Sequence, residues 1–127
     1  SILLAKLPHF SKELYERQKI ADQYSNGLSE FVKTPIIKTN RNSSWAQYTI
    51  RSKERDALQA RLKKKGIPTL IFYPIPLHMQ KCFKYLNYKK GDFPITEQLS
   101  NEVLSLPMNS FLTFKEVDYI IKHIKES

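Results

Sequence analysis

The sequence predicts an α+β domain in which a small, mainly antiparallel sheet of three strands is packed with helices. Several segments repeat apolar residues every three or four positions, which is typical of amphipathic helices. Short β-branched or alternating segments lie between them and are typical of strands. The 127 residues are 41% hydrophobic and 12% aromatic, which is enough for one buried core and argues against disorder. The predicted order is α-α-β-β-α-β-α-α-α.

The chain begins with two predicted helices. Residues 1–10 are expected to be the end of a helix that is disturbed at Pro8. Ser11 is a favourable N-cap for the second helix, and Gly27 is expected to mark its frayed end. The apolar stripe of this helix consists of Leu14, Ile20, Ala21, Tyr24 and Leu28.

Three segments are predicted to be strands. Residues 34–39 are β-branched, and Pro35 limits them to an edge or a strand start. A polar turn leads to residues 45–52, which alternate and are expected to pair antiparallel with the first strand. Their core face is expected to be Ala46, Tyr48 and Ile50. Residues 67–73 are apolar enough to form a buried third strand.

A helix is predicted over residues 53–65, between the second and third strands. Ser52 is its expected N-cap, and Gly66 is expected to end it. Its last turn, Lys63–Lys65, favours the negative end of the helix dipole, which explains these lysines without any ligand. The buried stripe is expected to be Ala57, Leu58 and Leu62.

Three helices are predicted after the third strand. A short helix covers residues 79–86, and another covers about 95–105 and ends before Pro107. Thr113 and Glu116 form the capping-box pattern that begins the last helix. The buried stripe of the last helix is expected to be Val117, Ile120, Ile121 and Ile124.

The net charge of +9 leaves an anionic partner open. Because the lysines are scattered along the chain, we interpret most of them as solvated helix faces and expect no nucleic-acid binding. The alternative is a freestanding basic module that binds an anionic polymer such as nucleic acid. A third hypothesis is a degenerate remnant that is kept for assembly.

The chain has one cysteine, Cys82, so that no internal disulfide can form. This fits a reducing compartment, and we expect the cytoplasm. A buried, inert thiol is the expected state of Cys82. No apolar run approaches the ~20 residues of a membrane span, so no membrane association is expected.

Chemical motifs are scarce. The glycines are too far apart for a phosphate-binding loop, and no nucleophile elbow is present. The three histidines lack metal-ligand spacing, so no metal is expected. No catalytic residue is therefore assigned.

Residues 71–80, IFYPIPLHMQ, form a segment that we call the proline corner. Pro74 and Pro76 each remove a backbone donor and restrict the preceding residue to extended geometry. Such a stiff arm can hold Tyr73 outward at a fixed position. The alternative is that the prolines only end the strand and that Tyr73 packs in the core.

Several segments, read in order, resemble the C-terminal part of the DegT-type (StrS-like) sugar aminotransferases. These segments are SILLAKLPHF, RQKIADQY, WAQYTIRSKERD, LKKKGIPT, FYPIPLHMQ and GDFPITEQLSNEVLSLPMNSFLT, together with the closing helix. The family consists of pyridoxal-phosphate (PLP) enzymes of the aspartate aminotransferase fold, which is fold type I. They aminate nucleotide-linked keto-sugars for polysaccharide, lipopolysaccharide or antibiotic sugar synthesis, with glutamate as the expected amino donor.

The resemblance implies a division of the chain and a missing part. Residues 1–10 would be the end of a helix that leads from a large domain, and residues 11–127 would be the C-terminal small domain. Family members are about three times this length, and their cofactor lysine lies in the large domain. The resemblance therefore implies PLP in the parent protein, no cofactor in this piece, and no catalysis by this piece alone.

The resemblance also implies partners and site residues. Family members are homodimers, and the proline corner is similar to a segment that reaches the active site of the partner subunit to contact the nucleotide-sugar. Tyr73 carries over directly, whereas Phe72 replaces a histidine of many members and cannot hydrogen-bond a diphosphate. His78 is the third candidate for substrate contact, with a structural role as its other interpretation. The role of Asn109 is left open.

A missing large domain has a consequence for the first residues. Apolar side chains that it covers in the parent would be exposed here. We expect Ile2, Leu3, Leu4 and Leu7 to be poorly buried within a single copy of this chain.

Overall fold

A computed structural model describes residues 2–126 of the chain. It shows an α+β arrangement of helices around a small antiparallel sheet. The α-helices in the described residues are α1 (Ile2–Lys6), α2 (Phe10–Leu28), α3 (Arg55–Lys64), α4 (Pro94–Glu102) and α5 (Phe114–Lys125). The strands are β1 (Tyr48–Arg51) and β2 (Val103–Leu106), and 3-10 helices cover Leu7–His9, Leu77–Met79 and Lys81–Leu86.

The sheet differs from the predicted one in its strand pairing. β1 pairs antiparallel with β2, and the register places Tyr48 opposite Leu106 and Arg51 opposite Val103. The predicted pairing of β1 with residues 34–39 is wrong, because residues 34–39 form no strand and β1 is joined on that side by an isolated bridge between Lys33 and Arg51. The three-strand prediction is not confirmed for the described residues, since residues 67–73 contribute only a bridge between Leu70 and Ser105.

β2 lies where the sequence predicted the end of a helix. Residues 103–106 are an apolar run, and a run this short does not distinguish a buried strand from a buried helical turn. The following Pro107 favours extended backbone at Leu106. The helix therefore ends at Glu102, and β2 becomes the buried neighbour of β1.

The first helices are joined rather than separated. The 3-10 turn Leu7–His9 carries the chain from α1 into α2, so Ser11 lies inside α2 and is not its N-cap. Pro8 occupies an early position of this turn, where its missing N–H leaves no acceptor unpaired. Gly27 also lies within α2 rather than at a frayed end.

The core lies between α2, α3, α5 and the sheet. Its buried apolar side chains are Ile20, Ala21, Tyr24, Leu28, Trp45, Tyr48, Ile50, Leu58, Leu62, Ile67, Leu104, Leu106, Val117, Ile120, Ile121 and Ile124. The predicted α5 stripe is therefore confirmed, and so are all members of the α2 stripe except the half-buried Leu14. Ala46, expected on the core face of β1, is exposed.

The third helix begins later than predicted. Ser52 is not its N-cap, because α3 begins at Arg55 and its N-cap residue, Glu54, makes no side-chain capping bond. Ala57 is exposed, and Arg55 is buried in its place. The guanidinium of Arg55 donates to the carbonyls of Ser100 and Val103, each at 3.1 Å, which compensates the burial of its charge.

The predicted helix ends were correct in two places. Gly66, at φ +73°, follows the end of α3 in the left-handed region that glycine adopts readily. The Thr113 hydroxyl accepts from the Glu116 N–H at 3.3 Å, and the Glu116 carboxylate accepts from the Thr113 N–H at 2.8 Å, which completes the capping box of α5.

The surface contains two features that concern the predictions. Ile2, Leu3, Leu4 and Leu7 are 79%, 79%, 69% and 66% exposed, which confirms that these side chains are poorly buried within a single copy. Cys82 is exposed on a 3-10 helix that contains no buried residue, so the prediction of a buried thiol is wrong. Among residues 2–126, no helix combines the length and the apolar character that a membrane span requires.

Candidate functional site

The proline corner leaves the sheet at Leu70. The Leu70 N–H donates to the Ser105 carbonyl at 3.1 Å, and the Ser105 N–H donates to the Leu70 carbonyl at 2.8 Å. This reciprocal pair fixes the start of the corner to the edge of β2. The Phe72–Tyr73 peptide bond is cis, and the two rings meet edge-on with their centroids 5.8 Å apart.

Tyr73 lies on the surface. Its side chain is 68% exposed, so the alternative in which it packs in a core is wrong for this chain. Phe72 is less exposed, at 38%. The corner therefore presents a phenol to the outside, while the contact of that phenol with a substrate stays a prediction.

The second half of the corner is a short 3-10 turn. Pro76 is extended, with φ −55° and ψ 145°, and the turn Leu77–Met79 follows it. The Met79 N–H donates to the Pro76 carbonyl at 2.9 Å. The prolines thus lie in an arm that bends at Phe72, Pro74 and Ile75 and ends in a hydrogen-bonded turn.

His78 points into the protein rather than to the surface. Its side chain is 7% exposed, and its Nε2 lies 3.0 Å from Oε1 of Glu97. The imidazole also packs against the Phe93 ring, with centroids 4.8 Å apart. The structure thus gives His78 a structural contact and separates it from the exposed phenol of Tyr73.

Glu97 is a site residue that no sequence motif indicates. It lies in the first turn of α4, where a carboxylate is favoured by the helix dipole. Hydrogen bonds from the Gly91 backbone N–H, the His78 ring and the Phe93 backbone lower the pKa of Glu97. The position in a first helical turn was the available signal, but it does not reveal the partners.

A cleft of about 400 Å³ lies beside the corner at the Leu106 end of the sheet. Phe72 and Asn109 both line it, so the structure brings these two candidates together. The Asn109 Oδ1 accepts from the Phe111 N–H at 2.9 Å, which shapes the loop after β2. The lining residues are Ala46, Gln47, Pro68, Thr69, Leu70, Phe72, Ser105, Leu106, Pro107, Met108 and Asn109.

This cleft does not fit PLP on its own. A PLP site needs a lysine for the Schiff base and a charged partner for the pyridinium nitrogen. Among the described residues that line the cleft there is neither a lysine nor a carboxylate. The cleft therefore lacks the groups that would hold PLP.

Comparison with protein families gives a match along nearly the whole chain. The model of the DegT/DnrJ/EryC1/StrS aminotransferase family matches residues 1–125. A "pleiotropic regulatory protein" of Geobacillus stearothermophilus is 41% identical over 130 residues, which cover 99% of this chain and 35% of that protein. The UDP-2-acetamido-2-deoxy-3-oxo-D-glucuronate aminotransferase of Pseudomonas aeruginosa is 38% identical over 121 residues, which cover 94% of this chain and 33% of that protein.

Solved structures agree with the sequence matches. A putative sugar aminotransferase from Streptococcus pneumoniae in its PLP-form superposes with a TM-score of 0.86 at 28% identity, covering 97% of this chain and 33% of that one. The chain thus spans about a third of the length of the relatives that it matches.

Proposed function

Because the chain belongs to the DegT/DnrJ/EryC1/StrS aminotransferase family, we propose that it is the C-terminal domain of an enzyme that aminates a nucleotide-linked keto-sugar. The observation that carries this proposal is the family match over residues 1–125. Glutamate is the proposed amino donor. The similarity to an enzyme named for a UDP-linked 3-oxo sugar supports a nucleotide-sugar as the acceptor.

The reaction needs parts that this chain does not supply by itself. PLP would provide the electron sink for amino transfer, and the residues that hold it are proposed to lie in the rest of the enzyme. In this division, residues 1–10 end a connecting helix and residues 11–127 form the small domain. We place the enzyme in the cytoplasm on the basis of the single cysteine.

The proposed contribution of this chain to the reaction is the proline corner. In a homodimer, the corner would extend into the active site of the partner subunit. Tyr73 would then donate or accept a hydrogen bond at the nucleotide-sugar, because its exposed hydroxyl can do both. Phe72 would contribute an apolar surface beside the cleft that it lines. Both contacts bind and orient the sugar and move no proton.

Exposed apolar side chains at the start of the chain support the proposal that it is part of a longer enzyme. α1 contains no buried residue, and Ile2, Leu3 and Leu4 are each more than two-thirds exposed. Contiguous apolar surface of this kind marks an interaction site in soluble proteins. The proposal assigns it to contact with the remainder of the enzyme.

The test is a transamination assay on the longer protein that carries this chain. PLP-loaded protein is incubated with glutamate and a UDP-linked 3-keto-sugar, and the amino sugar is detected by mass spectrometry. The proposal predicts an amino sugar and 2-oxoglutarate in equal amounts. Failure to aminate a panel of UDP- and dTDP-linked keto-sugars would contradict it. Tyr73→Phe, which removes only the hydroxyl, is expected to raise the KM for the sugar by about tenfold.

The alternative of a freestanding module for an anionic polymer finds no support in the family match. It predicts nucleic-acid binding that weakens steeply with salt, because phosphate contacts release counterions. Absence of binding at low salt removes this alternative.

A further inference from the structure

The proline corner lacks an apolar core of its own. From residue 71 to residue 80, no residue is fully buried, and Ile75 and Leu77 are 54% and 64% exposed. Ile71, at the start of the corner, is the member that packs against the hydrophobic core. A segment with so few buried apolar contacts is drawn from the less stable part of a protein, so its position depends on attachments near its ends.

The first attachment is at the start of the corner. Leu70 exchanges two backbone hydrogen bonds with Ser105, which ties this end to the buried strand β2. Tyr73 lies three residues further along and is mostly exposed. One attachment leaves the rest of the arm free to rotate about this end.

The second attachment is the contact between His78 and Glu97. Oε1 of Glu97 accepts from Nε2 of His78 at 3.0 Å and from the Gly91 N–H at 2.7 Å. These side chains are well protected, at 7% exposure for His78 and 17% for Glu97. The Phe93 ring packs against the imidazole at an angle of 52°. One carboxylate oxygen thus joins the far end of the corner to the loop before α4 and to α4 itself.

We propose that Glu97 is a positioning residue which, through His78, fixes the far end of the proline corner and thereby the placement of Tyr73. This inference rests on the proposed function, because it concerns how the corner serves the sugar site. Tyr73 lies between the two attachments, so the prolines can transmit the position of both ends to it. Displacing a substrate-positioning side chain by about 1 Å can lower the reaction rate by a large factor.

The test uses the longer protein with four substitutions. Glu97→Ala removes the acceptor of both hydrogen bonds, whereas Glu97→Gln keeps one acceptor oxygen for both and replaces the charge and the second oxygen with a neutral amide. Glu102→Ala is the matched control, because Glu102 also lies on α4 and accepts from Arg51 at 2.7 Å but does not contact the corner. His78→Phe removes the imidazole and so breaks the same contact between His78 and Glu97. This variant replaces Glu97→Ala in the test if Glu97→Ala fails to fold.

Two measurements are made on each variant. The first is the steady-state kinetics of the sugar half-reaction and of the glutamate half-reaction, each followed separately. Glu97→Ala is expected to raise the KM for the nucleotide-sugar by about tenfold and to leave the glutamate half-reaction unchanged. Glu97→Gln and Glu102→Ala are expected to keep the KM of the unmodified protein within about twofold.

The second measurement is hydrogen exchange of the Met79 and Gln80 amides, which are hydrogen-bonded in the corner. Glu97→Ala is expected to increase their exchange rates by about tenfold or more, and the other two glutamate substitutions are not. Unchanged exchange and unchanged KM in Glu97→Ala overturn the inference, as does an equal loss in both half-reactions. If the unmodified protein aminates no sugar, the proposed function fails, and the exchange rates alone decide whether Glu97 holds the corner.

Discussion

Replacing Gly27 with alanine tests the packing of α2 against α5, because two effects of known size oppose each other. In an exposed helix, Gly→Ala stabilises by about 1 kcal/mol. Here a Cβ on Gly27 would lie 2.8 Å from Cδ1 and 3.0 Å from Cγ2 of Ile121. Ile121 has one strongly preferred χ1 in a helix, so its Cγ2 cannot move away freely. Overpacking of this kind costs about 1–3 kcal/mol.

The expected result for Gly27→Ala is therefore a loss of about 1 kcal/mol in the free energy of unfolding, or about 4 °C in Tm for this chain length. Urea and thermal unfolding, followed by circular dichroism, measure both values. The substitution Ile121→Val removes the Cδ1 that makes the closest contact. A double-mutant cycle is expected to show a favourable coupling of about 0.5–1 kcal/mol.

Gly66→Ala is the matched control. Gly66 is at φ +73° and has open space around the position of a Cβ. The stability that Gly66→Ala loses therefore comes from backbone strain and not from packing. Ile121→Val is expected to leave this cost unchanged. A gain in stability for Gly27→Ala, or the same coupling for both glycines, would refute the packing argument.

Three further predictions concern stability. Thr113→Ala removes the hydroxyl that accepts from the Glu116 N–H and donates to the Glu116 carboxylate, and it is expected to cost about 1 kcal/mol in urea unfolding. Hydrogen bonds from the Thr113 backbone N–H, which alanine keeps, and from the Thr113 hydroxyl lower the pKa of Glu116. Because the substitution removes the hydroxyl's share, its cost should shrink as the pH falls below 4.5, the ordinary glutamate value. Arg55→Met leaves two carbonyls at the α4–β2 junction without their donor and is expected to lower the free energy of unfolding by about 2–4 kcal/mol, and an unchanged unfolding midpoint would contradict this. Burial raises the pKa of Tyr24 and of Tyr48 above 10.0, so the folded state favours the neutral phenols. Their contribution to the free energy of unfolding should be fully present below pH 10 and should fall as the pH rises above 10. This fall should be less steep in Tyr24→Phe, which has one buried phenol fewer.

The sequence predicted the helices best, because periodic stripes and caps are local signals. The α5 stripe, its capping box at Thr113 and the glycine after α3 are all present. Strand pairing was predicted poorly, since Val103–Leu106 is too short an apolar run to show its period. Alternation along residues 45–52 places Trp45 opposite the expected core face of Ala46, Tyr48 and Ile50. Trp45 is nevertheless buried, and its Nε1–H donates to the Gln18 Oε1 at 2.8 Å. Its φ of 48° departs from strand geometry, so the alternation does not extend to this residue.

The candidate site was predictable in part. Pro74 and Pro76, which are two positions apart, indicated a rigid corner, and Tyr73 is exposed on it. The link from His78 to Glu97 was not predictable, because the two residues are 19 positions apart and no local pattern connects them. The buried guanidinium of Arg55 was missed for the same reason, since its acceptors lie more than 40 residues away.

The most direct test of the account is photo-crosslinking from position 73 of the longer protein. Tyr73 is replaced by a photoreactive benzoylphenylalanine, and the protein is irradiated with and without the nucleotide-sugar. The account predicts a crosslink to the partner subunit, or to the sugar when it is bound, and a decrease of the subunit crosslink on addition of the sugar. A crosslink only within the same subunit, unaffected by the nucleotide-sugar, would contradict it.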